Sequence, residues 1–320
     1  MARRPSREPA VTDQTTDPHA ILAADAYRRS RGTWRIVAFI ALAIAVLAVA
    51  GRFANNTPVG DQIARIKIDG AITTDPARLE IINDLAKDDR VKAVIVAINS
   101  PGGTTAGGEE LYEALGALRA KKPVVAVIDE LGASAAYMTA IAADRIFARR
   151  LSIVGSIGAY VQHVDASKLF GTIGVDLDKV ASGPLKGKPE IDEAIDPAVR
   201  ASLAALVDDT FQWFVDIVSE RRGIDRAVTL KLADGGVMSG RMALDAKLID
   251  AVGGENEAIA WLQTDQGIGK DLPVATAFPL PEQGLGWLTQ MVGGQARAAL
   301  GLPTSGPIAL DGVVSLWQVE

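Results

Sequence analysis

The sequence predicts an α/β fold built on a parallel β-sheet. Two segments, VKAVIVAI (91–98) and PVVAVI (123–128), are almost wholly apolar and rich in β-branched residues, as strands buried on both faces are. Segments with helical spacing lie between and after them, so that strands and helices alternate along the chain. This order favours parallel strands that are joined by right-handed helical crossovers.

The remaining elements are assigned from the same periodicities. ARIKIDG (64–70) alternates apolar and polar residues and predicts a strand with one exposed face. The predicted strands are 64–70, 91–98, 123–128 and 145–148. The predicted helices are 76–88, 109–120, 133–143, 197–222, 227–233, 240–248 and 255–263, and 285–300 is a candidate amphipathic segment in a tail rich in Gly and Pro.

A membrane anchor is predicted near the N-terminus. Residues 1–33 form a polar, arginine-rich leader, and an uncharged run from Ile36 to Gly51 then lies between Arg35 and Arg52. This run is short against the ~20 residues of a typical span, but flanking arginines can extend to the interface. Because arginines are concentrated before the run, the leader is expected in the cytoplasm and the rest of the chain outside, as a single-pass inner-membrane protein.

Two other interpretations of this run stay open. Ala48-Val-Ala50 resembles a signal-peptidase site, which would make the run a cleaved signal peptide. The run is also short enough for a buried core helix. A leader of more than thirty residues favours an uncleaved anchor over residues 34–53.

The composition excludes several kinds of chemistry. The chain has no cysteine and only two histidines, His19 and His163, so thiol nucleophiles and Cys/His metal sites are disfavoured, and we expect no metal and no cofactor. The net charge of −6 gives no electrostatic argument for a nucleic-acid partner. His163 lies in an apolar, strand-like stretch; it is either a base or a structural residue, and the structural interpretation is favoured. Asp129 and Glu130 either bind substrate amines or cap a turn, and the capping interpretation is favoured.

Two loops follow the buried strands. NSPGG (99–103) is either an ordinary strand-to-helix turn or a loop whose backbone N–H groups bind an oxyanion. Ser134, in GASAAY (132–137), is either a small residue or N-cap at a crowded helix start, or a nucleophile. Parallel strands end at the same edge of a sheet, so the N–H groups of Gly103 and Ala135 are expected near a carbonyl that Ser134 attacks.

A serine nucleophile needs a base. With imidazole nearly absent, a lysine can serve if burial lowers its pKa from ~10.4 to ~7–8. Lys186, in SGPLKGKPE (182–190), is the candidate, although most loop lysines simply face water.

Several motifs occur in a fixed order over residues 63–254. They are NSPGG, GASAAY, ADRIFA (143–148), VGSIG (154–158), SGPLK (182–186) and VMSGRMALDAKLIDAVGG (237–254). This set resembles signal peptide peptidase A, of serine peptidase family S49. The resemblance implies a Clp protease/crotonase-like fold over residues 62–265, with residues 266–320 as a C-terminal extension.

The resemblance also implies roles for individual residues. Ser134 takes the nucleophile position, Lys186 the general-base position and Ser156 the position of the serine that orients the lysine amine. Gly103 and Ala135 take the positions that donate to the oxyanion. The chain departs from the family pattern AASGGY by an alanine after the nucleophile, which adds a methyl group near the oxyanion site, and it has Leu185 before the lysine where a larger residue is common.

The single copy of the domain resembles the short form of the family. In that form the chain assembles into a homo-oligomeric ring, and the dyad is completed between adjacent subunits. The implied substrates are hydrophobic peptides such as released signal peptides, with S1 and S3 pockets lined by small and aliphatic side chains. Two rival functions stay open: an inactive membrane-anchored scaffold, and a crotonase-like enzyme acting on an acyl-CoA.

Overall fold

The computed structural model describes residues 34–44, 46, 60–279 and 314–316. The chain divides into two units, Met1–Thr57 and Pro58–Glu320. In the first unit, residues 34–44 and 46 are helical, and large side chains such as Trp34 and Phe39 are exposed. The predicted leader and the rest of the predicted anchor lie outside the described residues. Among the residues that are described, no helix has both the length and the apolar character needed to cross a bilayer.

The second unit contains alternating strands and helices. The strands are β1 (Gln62–Asp69), β2 (Val91–Ser100), β3 (Gly102–Thr104), β4 (Val124–Ala133), β5 (Arg145–Ala148), β6 (Ile153–Gly155), β7 (Val237–Ser239), β8 (Ala251–Val252), β9 (Val274–Phe278) and β10 (Val314–Leu316). The helices are α1 (Pro76–Lys87), α2 (Thr105–Arg119), α3 (Ala135–Ala140), α4 (Ser167–Ile173), α5 (Pro197–Arg222), α6 (Arg226–Leu232), α7 (Gly240–Asp245) and α8 (Glu255–Thr264).

The main sheet is mixed but mostly parallel. Its central order is β7-β6-β4-β2-β1-β9, and β5 joins β4 to β8. The pairs β1–β2, β2–β4, β4–β5 and β4–β6 are parallel, while β6–β7 is antiparallel. β3 lies apart from this sheet and pairs with β10 in antiparallel register. The α/β fold class predicted from the sequence is therefore confirmed.

Both faces of the sheet are covered, which explains the continuous apolar strands. In β2, Val94, Val96 and Ile98 face a large core that α1, α2, α3 and α5 cover. The alternate residues Ala93 and Ile95 face a smaller core under α8. Because side chains in a strand alternate between faces, a strand covered on both sides needs apolar residues at every position.

The structure differs from the sequence-based assignment at several points. β4 continues to Ala133, so Asp129 and Glu130 lie within a strand and cap no turn; the capping interpretation is wrong. The helix after it is shorter than predicted and begins at Ala135. Gly102 and Gly103 belong to a short strand, because β10 supplies a partner that local sequence does not reveal. The candidate amphipathic segment and most of the tail lie outside the described residues.

Candidate active site

Ser134 connects β4 to α3 in a constrained conformation. Its φ is 62° and its ψ is −124°, which is unusual for a residue with a side chain. The backbone is fixed on both sides, because its N–H donates to Gly155 O (2.8 Å) and its carbonyl accepts from Met138 N (3.0 Å). The side chain makes no capping hydrogen bond to α3, so the N-cap interpretation is wrong. A positive φ held by neighbours at a strand end is typical of functional residues.

Ser134 and Ser156 lie on one cavity. Ala133 of β4 pairs with Gly155 of β6, so the two serines directly follow paired positions of adjacent strands. Ser156 also has a positive φ, 51°, and its N–H donates to Gly236 O at 2.7 Å. The cavity that both serines line has a volume of about 770 Å³. The ordered motifs predict that these two serines share a site, and the structure brings them together.

Other lining residues were not identified from the sequence. They come from α5 and from the turn before β7, and they include Ala204, Val207, Asp208, Phe211, Asp234 and Gly235. These residues carry no local motif, and they lie far beyond Ser156 along the chain. Only the packing of α5 beside the sheet brings them to the cavity.

The two predicted oxyanion donors lie on different elements, Gly103 in β3 and Ala135 at the start of α3. Ile72 N donates to Gly102 O, and Thr104 N donates to Ile72 O, both at 2.8 Å. Because backbone groups alternate along a strand, the amide of Gly103 then faces the opposite edge of β3, along which β10 pairs. Ala135 is the first residue of α3, where backbone N–H groups have no partner within the helix.

The methyl group of Ala135, directly after Ser134, is accommodated by α2. Ala135 is fully buried. A Cβ built on Gly108 of α2 would lie 3.0 Å from the Cβ of Ala135. The methyl group of Ala135 therefore packs against α2, and the glycine at position 108 provides the space for it. A residue that is distant in sequence thus lets an alanine follow Ser134.

Tyr137 of the same motif has a structural role. Its hydroxyl donates to Leu248 O at 2.8 Å, and the side chain is fully buried. Burial raises the pKa of Tyr137, so the phenol stays neutral and acts as a donor. It ties α3 to the end of the α7 segment and supports the position of Ser134 at the other end of α3.

Lys186 lies on a segment that we call the arm, residues 159–196. The arm contains α4, and its ends are joined by His163, whose Nε2 lies 2.9 Å from Glu193 O. This contact agrees with the structural role predicted for His163, although the residue lies in irregular backbone. Lys186 is exposed, and it is not among the residues that line the cavity of Ser134. A single described chain thus brings Ser134 and Ser156 together but leaves Lys186 apart.

Replacing Gly103 with alanine is expected to destabilise the fold. A Cβ at this position would lie 1.9 Å from the carbonyl oxygen of Ile72, so β3 must shift. We expect a loss of about 1–3 kcal/mol in unfolding free energy, measured by denaturant unfolding. Gly116→Ala is the matched control: apart from the neighbouring backbone of its own helix, no atom lies within 4 Å of its added Cβ, and alanine favours the helix. Equal effects of the two substitutions would contradict the expectation.

The chain is similar to known peptidases in sequence. Residues 116–269 match the model of peptidase family S49. A protein of Methanocaldococcus jannaschii named as a candidate protease, MJ0651, is 33% identical over 74% of this chain and 76% of its own length. Protease 4 of Salmonella typhi is 30% identical over 56% of this chain and 29% of its own length. ClpP1 of Listeria monocytogenes is 16% identical, with a TM-score of 0.40 over 61% of this chain and 94% of its own.

Proposed function

The chain belongs to peptidase family S49 and is a serine peptidase, and from this premise we propose that it is a membrane-anchored endopeptidase with a Ser-Lys dyad. Ser134 is the nucleophile, and Lys186 of an adjacent subunit is the general base. The observation that carries the proposal is the position of Ser134: a buried strand end with a φ of 62°, beside Ser156 on a cavity of about 770 Å³. We also propose that residues 62–265 adopt a Clp protease/crotonase-like fold.

The proposed reaction has two stages, acylation of Ser134 and hydrolysis of the acyl-enzyme. The lysine amine accepts the proton of Ser134 Oγ while that oxygen attacks the peptide carbonyl carbon. The N–H groups of Gly103 and Ala135 stabilise the oxyanion that forms. The ammonium then protonates the leaving amine as the C–N bond breaks, which leaves an acyl-enzyme on Ser134. Water, deprotonated by the same amine, hydrolyses this ester and restores the serine.

Exposed apolar side chains on the arm support a dyad shared between subunits. A side chain such as Val180 is fully exposed in the single chain, which is costly unless another surface covers it. The exposed apolar residues of the arm are Tyr160, Val164, Leu169, Ile173, Val175, Leu177, Val180, Leu185 and Ile191. A repeated head-to-tail contact that covers them would close a ring and bring Lys186 to the neighbour's cavity.

The pairing of β10 with β3 indicates how a peptide would bind. β10 runs antiparallel to β3, with Ser315 opposite Gly103. A substrate that takes the place of β10 along this edge in extended form would gain backbone hydrogen bonds beside the oxyanion donor. This mode suits hydrophobic peptides, including released signal peptides, because recognition through the backbone does not require particular polar side chains.

The proposed location is the inner membrane, with the leader (1–33) in the cytoplasm, the anchor over residues 34–53 and the catalytic domain outside. The helical residues 34–44 and 46, with their exposed apolar side chains, support this arrangement. Membrane fractionation of the full chain, with protease protection of its two ends, tests it. Recovery of the full chain in the soluble fraction would contradict the anchor. The tail from 266 to 320 remains a proposed extension.

Among the rival functions, an inactive scaffold of the same fold would keep the arm contacts but not a reactive serine. A fluorophosphonate probe should label Ser134 in the assembled wild-type chain, and the labelled site can be located by peptide mass spectrometry. Absence of labelling would favour the scaffold. A crotonase-like acyl-CoA enzyme would instead require CoA at an extracytoplasmic site, and a test of thioester turnover separates it from the peptidase.

Ser156→Ala is expected to slow the reaction without weakening substrate binding. The hydroxyl of Ser156 is proposed to hold the lysine amine in line with Ser134, and a misplacement of about 1 Å costs ~10²-fold. Alanine keeps the Cβ, so the backbone with a φ of 51° is disturbed little. Steady-state kinetics should show a lower kcat, a similar KM and an unchanged melting temperature. A raised KM with normal kcat would assign Ser156 to substrate binding instead.

A further inference from the structure

The arm contains four charged side chains that lie close to Lys186 in sequence, and we call them the arm charge cluster: Lys179, Lys188, Glu190 and Glu193. Lys179 Nζ lies 2.7 Å from Glu190 Oε1, and Lys188 Nζ lies 3.3 Å from the same atom. Lys188 Nζ also lies 2.5 Å from Glu193 Oε2. The cluster thus joins two ammonium groups to two carboxylates, with no net charge.

The arm charge cluster also holds the backbone next to Lys186. Lys179 Nζ donates to the carbonyl of Gly187 at 2.9 Å, directly after the proposed base. Gly187 has a φ of 74°, and a Cβ there would lie 2.8 Å from Lys179 Nζ. The positive φ favours glycine at position 187, and an added Cβ would displace the Lys179 ammonium from its present position. Further along the chain, the backbone N–H of Glu190 donates to Glu193 Oε1 at 3.0 Å.

The ionisation of the cluster follows from these contacts. Hydrogen bonds from Lys179 and then Lys188 lower the pKa of Glu190, and a hydrogen bond from Lys188 lowers the pKa of Glu193. The hydrogen bond to Glu193 raises the pKa of Lys188. Glu190, Glu193 and Lys188 are therefore charged at neutral pH. In the described part of the chain, Lys186 takes part in no ion pair, although both carboxylates of the cluster are close to it in sequence.

The pairing of both carboxylates with Lys179 and Lys188 affects how a third lysine can act as a base. A carboxylate next to an ammonium favours its charged form, which cannot accept a proton from serine. A second ammonium has the opposite effect. When both carboxylates are paired with Lys179 and Lys188, their effect on a third lysine is largely cancelled, and the same bonds fix the loop that carries it.

We propose that the arm charge cluster is a positioning and tuning device for Lys186, in which Lys179 and Lys188 occupy the carboxylates of Glu190 and Glu193, so that neither of these two carboxylates acts as a counter-ion to the catalytic amine. The proposal rests on the proposed role of Lys186 as the general base. Lys179, Lys188, Glu190 and Glu193 are positioning residues, since none of them contacts the reacting atoms.

Other charged groups also bear on Lys186 and must be held constant. His163 contacts Glu193 O from the start of the arm. Asp208 of α5 and Asp234 line the cavity that Lys186 would enter in an adjacent subunit. None of these groups is changed in the variants below, so differences between variants report on the arm charge cluster.

The test compares pH profiles of kcat/KM for the full-length oligomeric enzyme on one hydrophobic peptide. Lys179→Met leaves an excess carboxylate, so the acid limb should move to higher pH, by about half a unit or more. Glu190→Gln leaves an excess ammonium, so the limb should move to lower pH. The double variant restores neutrality, and its limb should return close to the wild-type position. Lys168→Met, on the arm but outside the cluster, is the matched control and should leave the limb unchanged.

The proposal would be supported if the acid limbs of the two single variants shift in opposite directions and the acid limb of the double variant returns to the wild-type position. Limbs that do not move, or that move in the same direction, would overturn it even if kcat falls, because loss of arm structure alone predicts no sign change. A separate measurement on Lys186→Ala distinguishes failure of the proposed dyad from failure of the proposed tuning role. Full activity of Lys186→Ala would overturn the proposed dyad itself, whereas an inactive Lys186→Ala with unmoved limbs in the cluster variants would overturn only the tuning role.

Discussion

Ser134→Ala is expected to abolish peptide hydrolysis, lowering kcat by roughly 10⁴- to 10⁶-fold, as loss of a serine nucleophile does in other peptidases. The reason is that Ser134 supplies the hydroxyl at the end of β4, where the N–H groups of Gly103 and Ala135 are proposed to bind the oxyanion. Binding of peptide along β3 should survive, because backbone pairing does not involve the Ser134 side chain. The measurement is steady-state turnover of a hydrophobic peptide, together with peptide affinity.

Two comparisons make this result specific to the hydroxyl. Ser202→Ala replaces an exposed serine of α5 and should leave turnover unchanged. Ser134→Ala should still unfold in one cooperative thermal transition, because the alanine keeps the Cβ and the backbone bonds to Gly155 and Met138 do not depend on the hydroxyl. A folded Ser134→Ala variant with wild-type turnover would remove Ser134 from the mechanism.

Lys186→Ala is expected to be nearly inactive alone but to regain activity when mixed with Ser134→Ala. Each site of a mixed ring takes its serine from one subunit and its lysine from the next. A site is intact only when the first subunit carries Lys186→Ala and the second carries Ser134→Ala. Random equal mixing makes about a quarter of the sites intact, so about a quarter of wild-type activity should return.

The mixing experiment separates a shared dyad from one within a single subunit. Subunits are exchanged by mild dissociation and reassembly, and the mixture is compared with each variant treated in the same way. Lys168→Ala, on α4 of the arm, is the control and should be active without mixing. Absence of recovery in rings shown by native mass spectrometry to be mixed would contradict a dyad completed between subunits.

Much of the fold follows from local patterns. The helix over Pro197–Arg222 has the bounds that the sequence predicts, because an Asp-Pro start and a terminal glycine mark both of its ends. The strands of the central sheet are found from continuous apolar runs, since burial on both faces leaves no polar positions. By contrast, the strand Gly102–Thr104 is missed because its partners, Ile72 and β10, are distant in sequence.

Composition and motif order alone restrict the chemistry that the chain can use. With no cysteine and only two histidines, a serine peptidase of this sequence is left with His163 or a group other than imidazole as its base, and the ordered motifs identify the candidate residues. How the site is built depends instead on the complete fold. The positive φ of Ser134, the glycine at 108 that receives the methyl group of Ala135, and the acidic residues of the cavity all depend on contacts between distant segments. Such contacts leave no periodic pattern in the chain, because each one arises only when separate elements pack together.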